Sequence, residues 1–178
     1  MKLRTHGGYA VALLAAAIST SSMAADGTIH FQGLITDTTC SVSVNSSAAT
    51  ATVLLPSVAV SALPEVGSTA GAMPFTINLS ACTGDTLGTA STHFEVGPDV
   101  DTVSGRLNST GTADGVQIQM LNADQGPITV GALTSQGDVP VDITSGSATL
   151  RYYARYYANA DVTPGTVVSR VDYTIQYQ

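Results

Sequence analysis

Alternation of apolar and polar side chains is the main pattern along this chain. Residues 75–81 place Phe75, Ile77 and Leu79 on one side, residues 116–120 repeat the pattern, and residues 167–178 alternate to the chain end. Because successive side chains of a strand point to opposite faces, this period of two predicts β-strands. Turn signals typical of a β-sandwich separate them: Gly97-Pro98-Asp99, Asp114-Gly115, Gly126-Pro127, Gly137-Asp138 and Pro164-Gly165. The sequence therefore predicts an all-β protein.

The first segment has a different character. Lys2 and Arg4 precede an apolar stretch at residues 9–18, and small residues follow up to Ala25. This pattern is typical of a secretory signal peptide, since the apolar stretch is far shorter than the roughly 20 residues of a membrane-spanning helix. We predict that residues 1–24 are removed by cleavage after Ala24, with cleavage after Ala25 as the alternative.

The charge balance excludes one class of partner. Of the six basic residues, four arginines remain after residue 24, against thirteen acidic residues and a formal charge of −9. Such a chain lacks the positive surface that offsets the cost of holding phosphates, so nucleic acid is not expected as a partner.

Cys40 and Cys82 are the two cysteines of the chain. In an exported protein an even count predicts a disulfide. His30 and His93 do not stand at a spacing that completes a zinc site with them. We expect no metal, no cofactor and no catalytic set.

The apolar face changes phase near the start of the predicted mature chain. Ile29 and Phe31 occupy odd positions, whereas Cys40, Val42 and Val44 occupy even ones. Since a shift of one residue moves every side chain to the other face, the first segment buries its odd residues somewhere other than the following strand does. This favours burial of Ile29 and Phe31 in a different core.

The other end of the chain is a strand without protection. Val171, Tyr173, Ile175 and Tyr177 are in phase, and the sequence ends one residue later. Exposed edge strands usually carry a Lys, a Pro or a bulge that prevents pairing with another strand, and this strand shows none of these signals. We therefore expect another segment to cover it.

Taken together, these features resemble the fimbrial subunits of the chaperone-usher pathway, of the type 1 pilin kind. The matching stretches cover nearly the whole predicted mature chain: residues 27–33 (GTIHFQG) before Cys40, residues 74–79 (PFTINL) before Cys82, residues 151–157 (RYYARYY) and the ending at residues 173–178 (YTIQYQ).

The resemblance implies an incomplete immunoglobulin-like β-sandwich that lacks its last strand. Residues 25–33 would be an N-terminal donor strand, with Gly27, Ile29 and Phe31 inserted into a neighbouring subunit, and residues 34–178 would be the pilin domain. An acceptor edge, also read by the chaperone, would be formed by Val171, Tyr173, Ile175 and Tyr177.

By the same resemblance, the protein is expected to be a structural subunit of adhesive surface fimbriae, and a single pilin domain favours the shaft. Its partners would be further copies of itself, related subunits, a periplasmic chaperone, an outer-membrane usher and, through the fibre, host-cell receptors. It would be exported through the periplasm to a fimbrium on the cell surface.

Other interpretations of the same residues stay open at this stage. Ile29 and Phe31 can belong to an ordinary first strand of their own domain. Residues 151–157 can be a platform for sugars, as in a carbohydrate-binding minor or tip adhesin, although β-propensity and cation–π packing explain them more simply. Asp99 and Asp101 begin like a calcium loop, but the positions after them do not continue the pattern.

Overall fold

The computed structural model describes residues 33, 35–84, 87–132 and 134–178. The chain divides into two units, residues 1–33 and 34–178, and all of the described residues except Gly33 belong to the second. The predicted signal peptide and the predicted donor residues Gly27, Ile29 and Phe31 lie outside the described residues.

Within these residues the chain forms nine β-strands, one 3-10 turn at Val60–Ala62 and no α-helix. The strands are β1 (Thr39–Val44), β2 (Thr69–Thr83), β3 (Thr89–Phe94), β4 (Val100–Asp101), β5 (Arg106–Asn108), β6 (Val116–Leu121), β7 (Val141–Asp142), β8 (Ala148–Ala158) and β9 (Tyr173–Tyr177). The prediction of an all-β protein is confirmed.

The strands make two sheets that face each other as a sandwich. A six-stranded sheet has the order β1-β2-β8-β6-β5-β4, and a three-stranded sheet has the order β7-β3-β9. All neighbouring pairs are antiparallel. The strands β1 and β9 therefore end their respective sheets.

An aromatic cluster joins the two sheets in the core. Tyr152 of β8 is 1% exposed, and its ring centroid lies 5.4 Å from that of Phe75 on β2. Phe94 of β3, in the other sheet, meets the Tyr152 ring edge-on at 5.3 Å. Rings packed in this way add to the free energy gained from burying their apolar area.

A disulfide between Cys40 and Cys82 links β1 to β2, as the sequence predicted. The β1–β2 register is irregular at this point, because Thr39 pairs with Thr83 while Ser41 pairs with Ser80. Ala81 adopts a positive φ of 48° there, which is typical of a bulge. The disulfide holds the edge strand of the larger sheet in place.

Loop side chains complete one edge of β3. The strand β7 pairs with Thr89 and Ala90 only. Beyond it, the Thr92 N–H donates to Asp138 Oδ2 at 2.6 Å and the Phe94 N–H donates to Gln136 Oε1 at 2.9 Å. The backbone N–H groups of Thr92 and Phe94 on this edge of β3 thus have hydrogen-bond partners, and the other edge of β3 pairs with β9.

The last strand is shorter than the alternation over residues 167–178 indicates. Before β9, the carbonyl groups of Thr166 and Val168 accept hydrogen bonds from Ala113 and Thr110, and the Arg170 N–H donates to Asp99. Because these residues bond to a neighbouring loop, strand pairing with β3 begins only at Tyr173.

Candidate functional site

The strand β9 has a free edge. It pairs with β3 from Phe94↔Tyr173 to Ala90↔Tyr177, and Thr89 and Gln178 exchange backbone hydrogen bonds of 2.8 and 2.9 Å. Among the described residues no strand pairs with its opposite edge. A row of backbone donors and acceptors is therefore available to another strand.

A groove of about 850 Å³ runs beside this edge, between the two sheets. Its floor is apolar and comes from strands of both sheets. The floor residues include Phe75, Ile77, Phe94, Leu107, Ile118, Met120 and Ala154. These side chains are buried or partly buried in the core, and the groove opens onto them.

The four residues predicted as an acceptor edge share one position in the structure. Val171, Tyr173, Ile175 and Tyr177 are half-buried, line the groove and pack against the main core. The residues between them, such as Thr174 and Gln176, are exposed. Their role as an acceptor edge stays a prediction, but their alternation points the apolar side chains into the groove.

The segment that follows β1 forms the opposite rim. Val53 and Leu55 are partly buried against the core and line the groove, whereas Leu54 between them is 79% exposed. Residues 49–58 form no backbone–backbone hydrogen bond within the described chain. This rim has the alternation of a strand but lacks a strand partner.

One hydrogen bond crosses the groove. The Tyr173 hydroxyl on β9 donates to the Ala49 carbonyl oxygen at 2.7 Å. Partial burial raises the pKa of the Tyr173 phenol, so the hydroxyl remains a donor over the usual range of pH. The local sequence pattern does not indicate this rim, because only its contacts with β9 and with the core distinguish residues 49–55 from a loop.

Ser169 lines the groove just before β9. Its hydroxyl oxygen is buried and has no hydrogen-bond partner within the part of the chain that the structure describes. An unpaired buried hydroxyl costs free energy, so the isolated chain leaves one hydrogen-bonding group beside the groove without a protein partner.

The acidic residues considered for calcium are engaged in turns. Asp99 accepts a hydrogen bond from the Arg170 N–H. The Asp101 carboxylate accepts hydrogen bonds from Ser104 and Gln117, which lower its pKa to about 2. Over the described ranges, no group of three or more His, Cys, Asp or Glu side chains could hold a metal ion.

The comparisons with known proteins agree with this architecture. Residues 55–178 match the family described as FimA, type-1 fimbrial protein, A. The major fimbrial subunit SMF-1 of Stenotrophomonas maltophilia (strain K279a) is 42% identical over 171 residues, which cover 91% of this chain and 98% of that protein. The F17 fimbrial protein of Escherichia coli is 40% identical over 177 residues, covering 96% and 97%.

A solved structure of a chaperone-usher pilus has a similar fold. It superposes with a TM-score of 0.62 at 24% identity, over 86% of this chain and 96% of that one. Within the described residues, no helix is long and apolar enough to cross a membrane.

Fold and relatives together define the class: a structural subunit of fimbriae and not an enzyme. The chain belongs to the type-1 fimbrial protein family, and the resemblance found in the sequence is confirmed.

Proposed function

We propose that this chain is the shaft subunit of an adhesive fimbria and polymerises by donor-strand exchange. The single observation that carries the proposal is the apolar groove beside the unpaired edge of β9. A strand inserted there would pair with β9 and cover the apolar floor of the groove. Addition of a strand to a sheet edge is a known mode of recognition, and chaperones bind fimbrial subunits in this way.

The proposed donor is residues 25–33 of another copy. In an extended strand Ile29 and Phe31 would point into the groove, and Thr28 and His30 would point outward. Nine extended residues span roughly 30 Å, whereas the five residues of β9 span roughly 17 Å. The donor is thus long enough to follow β9 and continue beside residues 169–172.

The energetics favour a stable link between copies. Burial of Ile29 and Phe31 contributes about 1.5–3 kcal/mol each, and each ladder hydrogen bond adds about 1 kcal/mol before ordering costs. Gly27 has no side chain, so the backbone can approach the groove closely at that position. The rim at residues 49–55 offers a second set of backbone groups for pairing.

Before assembly the same groove needs protection. A long unpaired edge next to apolar side chains promotes aggregation, and a chaperone that lends a strand in the periplasm would prevent it. We propose that Val171, Tyr173, Ile175 and Tyr177 are read first by this chaperone and then, at the outer-membrane usher, by the next subunit. The assembled fibre would stand on the cell surface and contact host receptors.

A peptide-capture experiment tests the acceptor groove. The mature chain, refolded without chaperone, is mixed with a peptide of residues 25–33, and the unfolding midpoint is measured. We expect the peptide to raise the midpoint of the wild-type chain and of Gln176→Lys, whose side chain points outward, but not of Ile175→Lys. If the wild-type chain does not respond to the peptide, donor-strand exchange is wrong for this protein.

Deletion of residues 25–31 tests the donor end separately. The shortened subunit should still bind the chaperone, since its groove is intact, but it should not cap a neighbouring subunit. Unchanged fibre assembly after this deletion would contradict the proposal.

The second candidate is a carbohydrate-binding minor or tip-associated adhesin, for which the tyrosines of residues 151–157 are the observation. The relative named as a major fimbrial subunit favours the shaft. Immunogold labelling separates the two: a shaft subunit is labelled along the whole fibre, and a tip subunit only at its end.

A further inference from the structure

A basic and aromatic surface lies on the side of the large sheet that faces away from the core. On β8, the buried residues Leu150, Tyr152 and Ala154 alternate with side chains on the opposite face. That outward row consists of Arg151, Tyr153, Arg155 and Tyr157, and Arg106 of β5 lies beside it. We call these five residues the arginine–tyrosine face.

The arginines of this face are held in position by neutral partners. Arg155 donates from Nε and Nη2 to Gln119 Oε1 at 2.9 and 2.7 Å, and Arg106 Nε donates to Gln117 Oε1 at 2.7 Å. Gln117 and Gln119 are only 3% and 7% exposed. Buried amides fix the guanidinium groups without neutralising their charge.

The three arginines differ in how close they lie to an acidic group. Gln117 accepts from Arg106 and donates to Asp101 Oδ2 at 3.1 Å, so a carboxylate lies near Arg106, whereas Arg151 and Arg155 have no carboxylate partner in the described chain. Across the described residues, no arginine nitrogen lies within 4.0 Å of a carboxylate oxygen. Asp101 is the cross-strand neighbour of Arg106, and the strand β8, which carries Arg151 and Arg155, has no acidic residue. This is unexpected in a chain with thirteen acidic residues and six basic ones, and three of the four described arginines are gathered here.

Tyrosine side chains lie next to the arginines on this face. The Arg106 guanidinium carbon lies 3.9 Å from the centroid of the Tyr157 ring. Tyr153 is half-buried, between the cross-strand positions of Pro74 and Leu121. A partly exposed ring flanked by arginines provides an apolar surface for a sugar ring and donors for an acidic group attached to it.

We propose that the arginine–tyrosine face binds acidic saccharides through their carboxylate groups, with Tyr153 packing against the sugar ring. Arg151 is exposed and free to turn toward a ligand, and Arg155 is already oriented by Gln119. A single site of this kind is weak. This step rests on the proposed role as a shaft subunit, since such a fibre repeats the site in every copy and a saccharide chain can then engage several copies at once. This activity is separate from the groove and from strand exchange.

The experiment uses purified wild-type fibres and trigalacturonate as the probe, followed by saturation-transfer NMR and equilibrium dialysis. Fully methyl-esterified trigalacturonate keeps the rings but lacks the charges. We expect trigalacturonate to bind, the ester to bind about tenfold more weakly, and binding to fall as salt is raised.

Variants locate the site. Arg151→Gln should weaken binding about tenfold, Arg151→Lys should retain most of it, and Thr149→Ala, on the same face, should leave it unchanged. No binding by wild-type fibres, equal binding of the ester, or no effect of Arg151→Gln would overturn the proposal. It would also be overturned if Arg151→Gln altered fibre compaction in electron micrographs but not binding, since the face would then be a contact between subunits.

Discussion

The hydroxyl group of Tyr173 and the carbonyl oxygen of Ala49 are joined by a 2.7 Å hydrogen bond across the groove. Tyr173 belongs to the last strand of the small sheet, and Ala49 follows the edge strand of the large sheet. In the isolated chain this bond connects the two rims of the groove beside the unpaired edge of β9. The bond is exposed, so its contribution to stability is small, but it limits how far residues 49–55 can move away from β9.

Tyr173→Phe should loosen that rim. The ring stays in the groove while the hydroxyl is lost, so the free energy of unfolding should fall by only about 0.5 kcal/mol. Limited proteolysis by chymotrypsin near the exposed Leu54 should become faster. Tyr177→Phe is the matched control, because the Tyr177 hydroxyl makes no hydrogen bond in the described chain, and equal cleavage of the two variants would contradict the prediction.

The sequence was most informative where a strand is half-buried. Alternation at Phe75, Ile77 and Leu79 identified β2, and the phase of Tyr173, Ile175 and Tyr177 identified the strand beside the groove. The strand β3 was not predicted, because its inward positions are Ala90 and Thr92 as well as Phe94 and give no clear hydrophobic period. Its burial depends on the opposite sheet, which a local pattern cannot reveal.

Removal of the disulfide should destabilise the chain strongly. Cys40 and Cys82 are 42 residues apart, and closing a loop of that size restricts the unfolded chain by about 4 kcal/mol in the chain-entropy account. The double substitution to Ala should lower the free energy of unfolding by up to that amount in urea titrations. The wild-type chain in reductant should approach the same value, and a change below about 1 kcal/mol would contradict the prediction.

Asp101 should contribute stability that is lost in acid. Hydrogen bonds from Ser104, Gln117 and the Val103 N–H lower its pKa from 3.8 to about 2 in the folded chain. Because the folded pKa is depressed, the stabilisation is complete above the unfolded pKa and disappears as the pH falls from about 4 to about 2. Asp101→Asn should therefore melt at a lower temperature than the wild type near neutral pH.

The melting temperatures of the two proteins should converge as the pH falls through about 2, because the folded wild type then takes up the proton on Asp101 that the unfolded chain already carries. Asp142, whose pKa is also lowered, by hydrogen bonds from Thr144, titrates in both proteins and cancels in the comparison. A melting-temperature difference that is constant from about pH 6 to about pH 2 would rule out this role.

The local sequence does not reveal where the groove rim lies, and the reason is physical. Residues 49–58 carry apolar and polar side chains like many loops, and they form no backbone ladder in the isolated chain. Only the crossing of Tyr173 to Ala49 and the packing of Val53 and Leu55 on the core bring them beside β9. The hydrogen bond alone joins residues 124 apart in the sequence, beyond the reach of a local periodicity.

The end of β9 depends on a glycine, so Gly88→Ala should weaken the strand next to the groove. A Cβ atom at Gly88 would collide with the backbone carbonyl oxygen of Gln178. Gln178 follows β9 directly and exchanges backbone hydrogen bonds with Thr89. We expect a loss of about 1–3 kcal/mol in the free energy of unfolding and a lower yield of fibres, because the strand that offers its edge would be displaced. Gly97→Ala is the matched control, since a Cβ there would meet no described atom within 4 Å and should change the free energy of unfolding by less than about 0.5 kcal/mol. If the two variants unfold at the same urea concentration, the backbone of Gln178 does not hold β9 in place.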